Sequence, residues 1–132
     1  YANPDMTPDE RNAAWASLEK QYRPWLDFAG LPFYGRGAGW QRQIHIYEWP
    51  FYYIDYCLAQ TVALQFFIAS LRDWDDAWRR YIALVNEAGC KAYPGLVAAA
   101  GFESPFAPGT MKKLAEAVGA WIEAQNKRLA EA

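Results

Sequence analysis

The chain is organised around Gln41-Arg42-Gln43-Ile44-His45-Ile46-Tyr47-Glu48-Trp49-Pro50-Phe51-Tyr52-Tyr53-Ile54-Asp55-Tyr56. This stretch holds the single histidine of the sequence and four of its nine tyrosines. It leads directly into the apolar segment from Cys57 to Leu71. Polar and aromatic residues that lead into an apolar helix are typical of a site built on a rigid element. We therefore expect this stretch to carry the chemistry of the chain.

Pro50 is predicted to open a long helix, because proline suits a first helical position, where its missing N–H would be unpaired anyway. The sequence from Phe51 to Leu71 contains no glycine or proline. At 3.6 residues per turn, one face of this helix would carry the polar groups of Tyr52, Tyr53, Tyr56 and Gln60. Such a face fits a site, and it fits equally a buried helix whose tyrosines reach backbone partners.

Composition limits the function classes. The 132 residues are 53% hydrophobic and 17% aromatic, which argues for one packed domain. The net charge of −2 and the lack of a basic patch disfavour nucleic-acid binding.

Asp55, Gln60 and Gln65 interrupt the long apolar run, so we expect a core helix and no membrane span. Two cysteines make no disulfide framework: Cys57 is predicted to be a small core residue, and the pair indicates a reducing, cytoplasmic setting.

Helical periodicity and capping signals run along the whole chain, without strand-like alternation. The clearest start is Thr7-Pro8-Asp9-Glu10, which combines an N-cap, a proline at N1 and a capping-box glutamate. The class is therefore all-α, a bundle of about five helices forming a single unit over residues 1–132. We expect these helices near residues 8–28, 50–71, 73–88, 93–100 and 110–130, with a further short helix within 40–47.

A glycine-rich loop is expected over residues 30–39, because Gly35, Gly37 and Gly39 alternate there. It is not a phosphate loop, since it lacks the Gly-Lys-Ser/Thr ending. Two interpretations remain open. The loop is either a surface connector or a hinged loop beside a site, where substrate backbone can approach Gly37 and Gly39.

The residue inventory excludes several kinds of catalytic site. One histidine cannot form H-E-x-x-H or a usual His/Cys zinc set. No serine lies in a Gly-x-Ser-x-Gly elbow. What remains is hydrogen-bond donation: a tyrosine hydroxyl can donate to an oxyanion, and a neutral histidine to a peptide carbonyl.

The organising stretch, extended by Trp40 in front and by Cys57-Leu58-Ala59-Gln60 behind, closely resembles a segment of the oligoendopeptidase F-type zinc peptidases, relatives of thimet oligopeptidase. The flanks agree as well. They read Thr7-Pro8-Asp9-Glu10-Arg11 ahead, then Ala63-Leu64-Gln65-Phe66-Phe67 and Gly101-Phe102-Glu103-Ser104-Pro105-Phe106 behind. The resemblance spans nearly the whole chain.

The resemblance implies that this chain, which opens on Tyr1, is the C-terminal portion of a mostly helical enzyme that cleaves short peptides. The family's zinc is held by H-E-x-x-H and a further glutamate, which lie upstream of this segment. Zinc therefore belongs to the intact enzyme, and this chain alone would bind none and be inactive.

His45 matches the family histidine that binds substrate. Tyr56, with Tyr53 close by, matches tyrosines that stabilise the tetrahedral intermediate, and the division of roles among Tyr52, Tyr53 and Tyr56 stays open. The glycine-rich stretch, with Gly37 and Gly39, resembles the mobile loop bordering the cleft.

Implied partners are short peptides and the upstream zinc-binding part of the same enzyme. Two alternatives stay open. The chain is a non-catalytic helical module that binds peptides or a protein, or a structural fragment whose apolar faces drive self-association.

Overall fold

The computed structural model describes residues 3–131, and the secondary structure in that range is helical. Two short 3-10 helices cover Tyr34–Arg36 and Ala38–Arg42. The α-helices of this range are α1 (Pro8–Tyr22), α2 (Ile44–Tyr47), α3 (Ile54–Arg72), α4 (Trp74–Asn86), α5 (Tyr93–Ala99) and α6 (Thr110–Ala130). The all-α class is therefore confirmed.

The residue contacts group the chain into two compact units, with the division between Tyr53 and Ile54. The first unit holds α1, both 3-10 helices and α2. The second unit holds α3 to α6. The sequence had predicted one helical unit.

Helix α1 begins with the predicted capping box. The backbone N–H of Glu10 donates to Thr7 Oγ1 over 3.3 Å, and the backbone N–H of Thr7 donates to Glu10 Oε2 over 2.7 Å. The hydrogen bond from the Thr7 backbone lowers the pKa of the Glu10 carboxyl, and the Thr7 hydroxyl adds to the effect. The helix ends at Tyr22 and not near residue 28, because Pro24 pushes Arg23 out of the helical region, to φ −136° and ψ 53°.

Helix α3 begins at Ile54, so the predicted start at Pro50 is wrong. Phe51 adopts φ 69°, the left-handed region, and a right-handed helix cannot pass through such a residue. Residues 49–53 form a turn instead, in which the N–H of Tyr52 donates to the Trp49 carbonyl over 3.2 Å. Tyr52 and Tyr53 therefore precede the helix, and the predicted helical face shared with Tyr56 and Gln60 does not form. The bounds of α4, α5 and α6 lie close to the predicted ones.

Aromatic edge-to-face contacts hold the second unit together. The Phe66 ring meets Phe102 at 4.6 Å, and the Phe67 ring meets Trp121 at 4.9 Å between centroids. At the end of α5 the Arg80 guanidinium donates to the carbonyl of Gly101 over 3.0 Å. Carbonyls at a helix end have no partner within the helix, so this cation both satisfies and stabilises the α5 terminus.

Much apolar surface stays exposed in the second unit. Helix α4 buries Ala77, while Trp74 is 68% and Trp78 54% exposed. Cys57 is exposed, so its predicted place in the core is wrong. By length and composition alone α3 could cross a membrane, a test that core helices of soluble proteins also pass. Large apolar side chains of the second unit therefore lie at the surface of the described part of the chain.

Candidate functional site

The predicted site histidine lies on α2 and is half-buried. Aromatic rings of the following turn surround it. The imidazole centroid of His45 lies 4.6 Å from the Tyr53 ring, tilted at 44°. It lies 5.9 Å from the Tyr52 ring, stacked at 10°, and 6.3 Å from the Trp49 ring. The structure thus brings together three of the predicted site residues, His45, Tyr52 and Tyr53.

The turn at residues 49–53 causes this grouping. The left-handed Phe51 reverses the chain just after α2, which returns Tyr52 and Tyr53 to the imidazole. A phenylalanine in this region is strained, and such strain is found preferentially at functional sites. Its side chain is 80% exposed. The residue types do not predict this turn, since Trp49-Pro50-Phe51 equally suits a helix start.

An open cavity of about 890 Å³ lies beside this cluster, within the first unit. Its wall includes His45 and Tyr53. The apolar part is formed by Leu18, Tyr22, Ile46, Pro50 and Phe51, and the charged part by Arg11, Glu19 and Arg23. A concave, mostly apolar surface with a few polar groups is the usual form of a ligand site. The contribution of α1 to this cavity was missed from the sequence, because periodicity shows an apolar face but not what it faces.

Gly37 and Gly39 are buried against α1. A Cβ on Gly37 would lie 2.2 Å from the Asn12 carbonyl oxygen, and a Cβ on Gly39 would lie 2.9 Å from Trp15 Nε1. Gly37 also adopts φ 77°. The glycines therefore allow the segment to pack directly on α1, a role that neither the connector nor the hinged-loop interpretation included.

Tyr56 lies in the first turns of α3, in the second unit, and is 55% exposed. In the same unit Tyr93, which sequence reasoning did not single out, donates its hydroxyl to the Leu58 carbonyl over 3.0 Å. Partial burial raises the pKa of the Tyr93 hydroxyl.

Within residues 3–131 no group of three or more His, Cys, Asp or Glu side chains could hold a metal ion.

Two solved structures resemble this chain. One, described as an oligoendopeptidase F, shares 45% sequence identity over 93% of this chain, with a TM-score of 0.84. The other, PZ peptidase A solved with an inhibitor, shares 40% identity over 94% of this chain, with a TM-score of 0.85. A scan against protein-family models and a search of curated proteins give no match.

The likeness covers only part of those proteins, since this chain spans 22% of each of the two solved chains. At 40–45% identity the agreement extends beyond the fold to the sequence itself. This chain is therefore similar to one segment of each of two peptidases, an oligoendopeptidase F and PZ peptidase A.

Proposed function

We propose that this chain acts in the hydrolysis of short peptides, as the C-terminal part of a metallopeptidase, and that it supplies hydrogen-bond donors to the substrate. The observation that supports this most is the contact of His45 and Tyr53, whose rings lie 4.6 Å apart in the wall of an open apolar cavity. The similarity to segments of two peptidases supports peptide hydrolysis as the reaction class.

In this proposal His45, as a neutral imidazole, donates a hydrogen bond to a peptide carbonyl and fixes the position of the substrate. A tyrosine hydroxyl stays protonated at neutral pH and donates to the oxyanion that forms when the carbonyl is attacked. Tyr56 is the proposed donor, with Tyr53 beside the imidazole. One such donor typically lowers the barrier by about 2.7–4 kcal/mol.

The cavity supports a peptide substrate for a second reason. Its apolar wall, to which Leu18, Ile46 and Phe51 contribute, suits an apolar side chain. Arg23 is ion-paired with Glu19 on the same wall, so Arg11 supplies the one net positive charge there. A short peptide offers both an apolar side chain and a terminal carboxylate. We propose that this surface holds the residue next to the one positioned by His45.

Zinc, which the family resemblance implies, has no ligand set within residues 3–131. In this proposal the metal and its activating glutamate belong to the upstream part of the enzyme. The metal would supply Lewis-acid activation of the scissile bond there. The residues of this chain bind, orient and donate.

His45 gives the first test. In the full-length peptidase that carries this chain, His45→Ala is expected to lower kcat/KM about tenfold, chiefly by raising KM, because one hydrogen bond that positions the substrate is lost. Steady-state kinetics on a quenched fluorescent peptide measures both constants. Gln41→Ala is the matched control, because Gln41 is exposed and lies four residues before His45. An unchanged KM and kcat for His45→Ala would remove the histidine from the site.

A further inference from the structure

We propose that Asn12 of α1 is a positioning residue for His45. In this proposal its side chain fixes Trp40, and Trp40 in turn fixes α2, the short helix that carries the histidine. The catalytic consequence depends on the proposed function. The positioning itself does not, and the experiment below tests it without any peptide cleavage.

The first step is a hydrogen bond between α1 and the 3-10 helix Ala38–Arg42. The indole Nε1–H of Trp40 donates to Asn12 Oδ1 over 2.8 Å, in a partly buried position. An indole N–H can only donate, so the bond also fixes which end of the Asn12 amide faces it. The two residues lie 28 positions apart in the sequence, so the bond joins two separate elements.

Asn12 contacts the same segment at a second point. A Cβ added to Gly37 would lie only 2.2 Å from the backbone carbonyl oxygen of Asn12. The side chain of Asn12 thus holds Trp40, while its carbonyl is in direct contact with the backbone at Gly37. Two contacts from one residue fix both the distance and the rotation of this segment relative to α1.

The second step leads from Trp40 to α2. The Trp40 ring stacks on Tyr47 with centroids 6.1 Å apart and an angle of 29° between the planes. Tyr47 is the last residue of α2, which has only four residues. A helix of one turn is not stable by itself, so contacts with its neighbours must set its orientation. His45 lies two positions before Tyr47 in the same turn and rotates with it.

The experiment uses the 132-residue chain, in which His45 is the single histidine and therefore gives a single imidazole Hε1 resonance. NMR follows this resonance and the indole Nε1–H resonance of Trp40. Asn12→Leu removes the acceptor with little change in volume. Trp40→Phe removes the donor but keeps an aromatic ring at the stacking position, and Asn12→Asp keeps an oxygen acceptor. Asn126→Leu, on the exposed surface of α6, is the control.

We expect Asn12→Leu and Trp40→Phe each to shift and broaden the His45 resonance. The double variant should add no further change, because both substitutions remove the same bond. Asn12→Asp keeps the acceptor and should leave the His45 resonance at its wild-type position. Asn126→Leu should also leave it unchanged.

Three results would overturn the proposal. In the first, Asn12→Leu moves the Trp40 indole signal and leaves His45 unchanged, which assigns Asn12 a purely structural role. In the second, the two single effects on His45 simply add. In the third, the wild-type His45 resonance lies at its random-coil position. Trp40→Phe changes no residue of α1, so it still tests the proposal if the Asn12→Leu variant does not fold.

Discussion

Replacing Tyr56 with phenylalanine in the full-length peptidase is expected to lower kcat about 10²–10³-fold and to leave KM almost unchanged. The substitution removes one hydroxyl and keeps the ring, so packing around the first turns of α3 is preserved. In the proposed function this hydroxyl donates to the oxyanion, a group that exists only after the carbonyl has been attacked. An interaction made only in the transition state changes kcat and not substrate binding.

The same substitution at neighbouring tyrosines assigns the donor. Tyr53→Phe and Tyr52→Phe are measured beside Tyr56→Phe, since both of these rings contact His45. Tyr81→Phe on α4, whose ring packs on Phe66 and Trp78, is the control and should leave both constants unchanged. A loss in kcat that appears for Tyr53→Phe and not for Tyr56→Phe would move the oxyanion role to Tyr53. A rise in KM alone would assign the tyrosine to ground-state binding.

The second large effect is expected for Gly37→Ala, which should destabilise the first unit by about 4 kcal/mol or more, the range of severe core disruption. Two penalties act together. Gly37 has φ 77°, where an alanine costs about 1–2 kcal/mol. In addition, the new Cβ would lie 2.2 Å from the Asn12 carbonyl oxygen, a backbone atom of α1 that cannot move without distorting the helix.

Gly30→Ala separates these two penalties. Gly30 has φ 79°, almost the same conformation, but nothing lies within 4 Å of its added Cβ. Both substitutions restrict the unfolded chain equally, so that contribution cancels in the comparison. Native-state hydrogen exchange of the α1 amides measures the stability of the first unit in each variant. Equal losses for Gly30→Ala and Gly37→Ala would show that the close approach to α1 does not contribute.

Local signals in the sequence were sufficient wherever the structure depends on neighbours along the chain. The capping box of Thr7 and Glu10 was predicted from residue types and forms in the structure. The all-α class follows from helical periodicity, which needs no knowledge of the partner surface. The start of α4 is equally local, since Asp73 is its N-cap and accepts from the Asp76 N–H over 3.0 Å.

Features that depend on distant residues could not be predicted in this way. The turn at Phe51 replaces a plausible proline-led helix start, and the reason lies in its φ of 69°, which residue types do not reveal. The packing of Gly37 and Gly39 on α1 requires knowing which element approaches them. The exposed side chain of Cys57 contradicts its predicted place in the core, because periodicity locates an apolar face but not what covers it.

The candidate site was predicted in part. The family resemblance implied site roles for His45, Tyr52 and Tyr53, and the structure places both tyrosine rings within 6 Å of the imidazole. The sequence argument had the wrong geometry, however, because it placed the tyrosines on a helical face. The contribution of Leu18 and Tyr22 of α1, and the hydrogen bond that Asn12 accepts from Trp40, depend on tertiary packing and carried no signal in the sequence.

The most direct test of the central claim is peptide cleavage after this chain is mixed with the separately produced upstream part of the same peptidase. The proposed function predicts that neither part cleaves a quenched short peptide alone. The mixture should cleave it, and a metal chelator should abolish that activity. The same mixture made with Tyr56→Phe should assemble equally well but cleave far more slowly. An assembled complex that binds the peptide and does not cleave it would contradict the claim and identify the chain as a helical binding module.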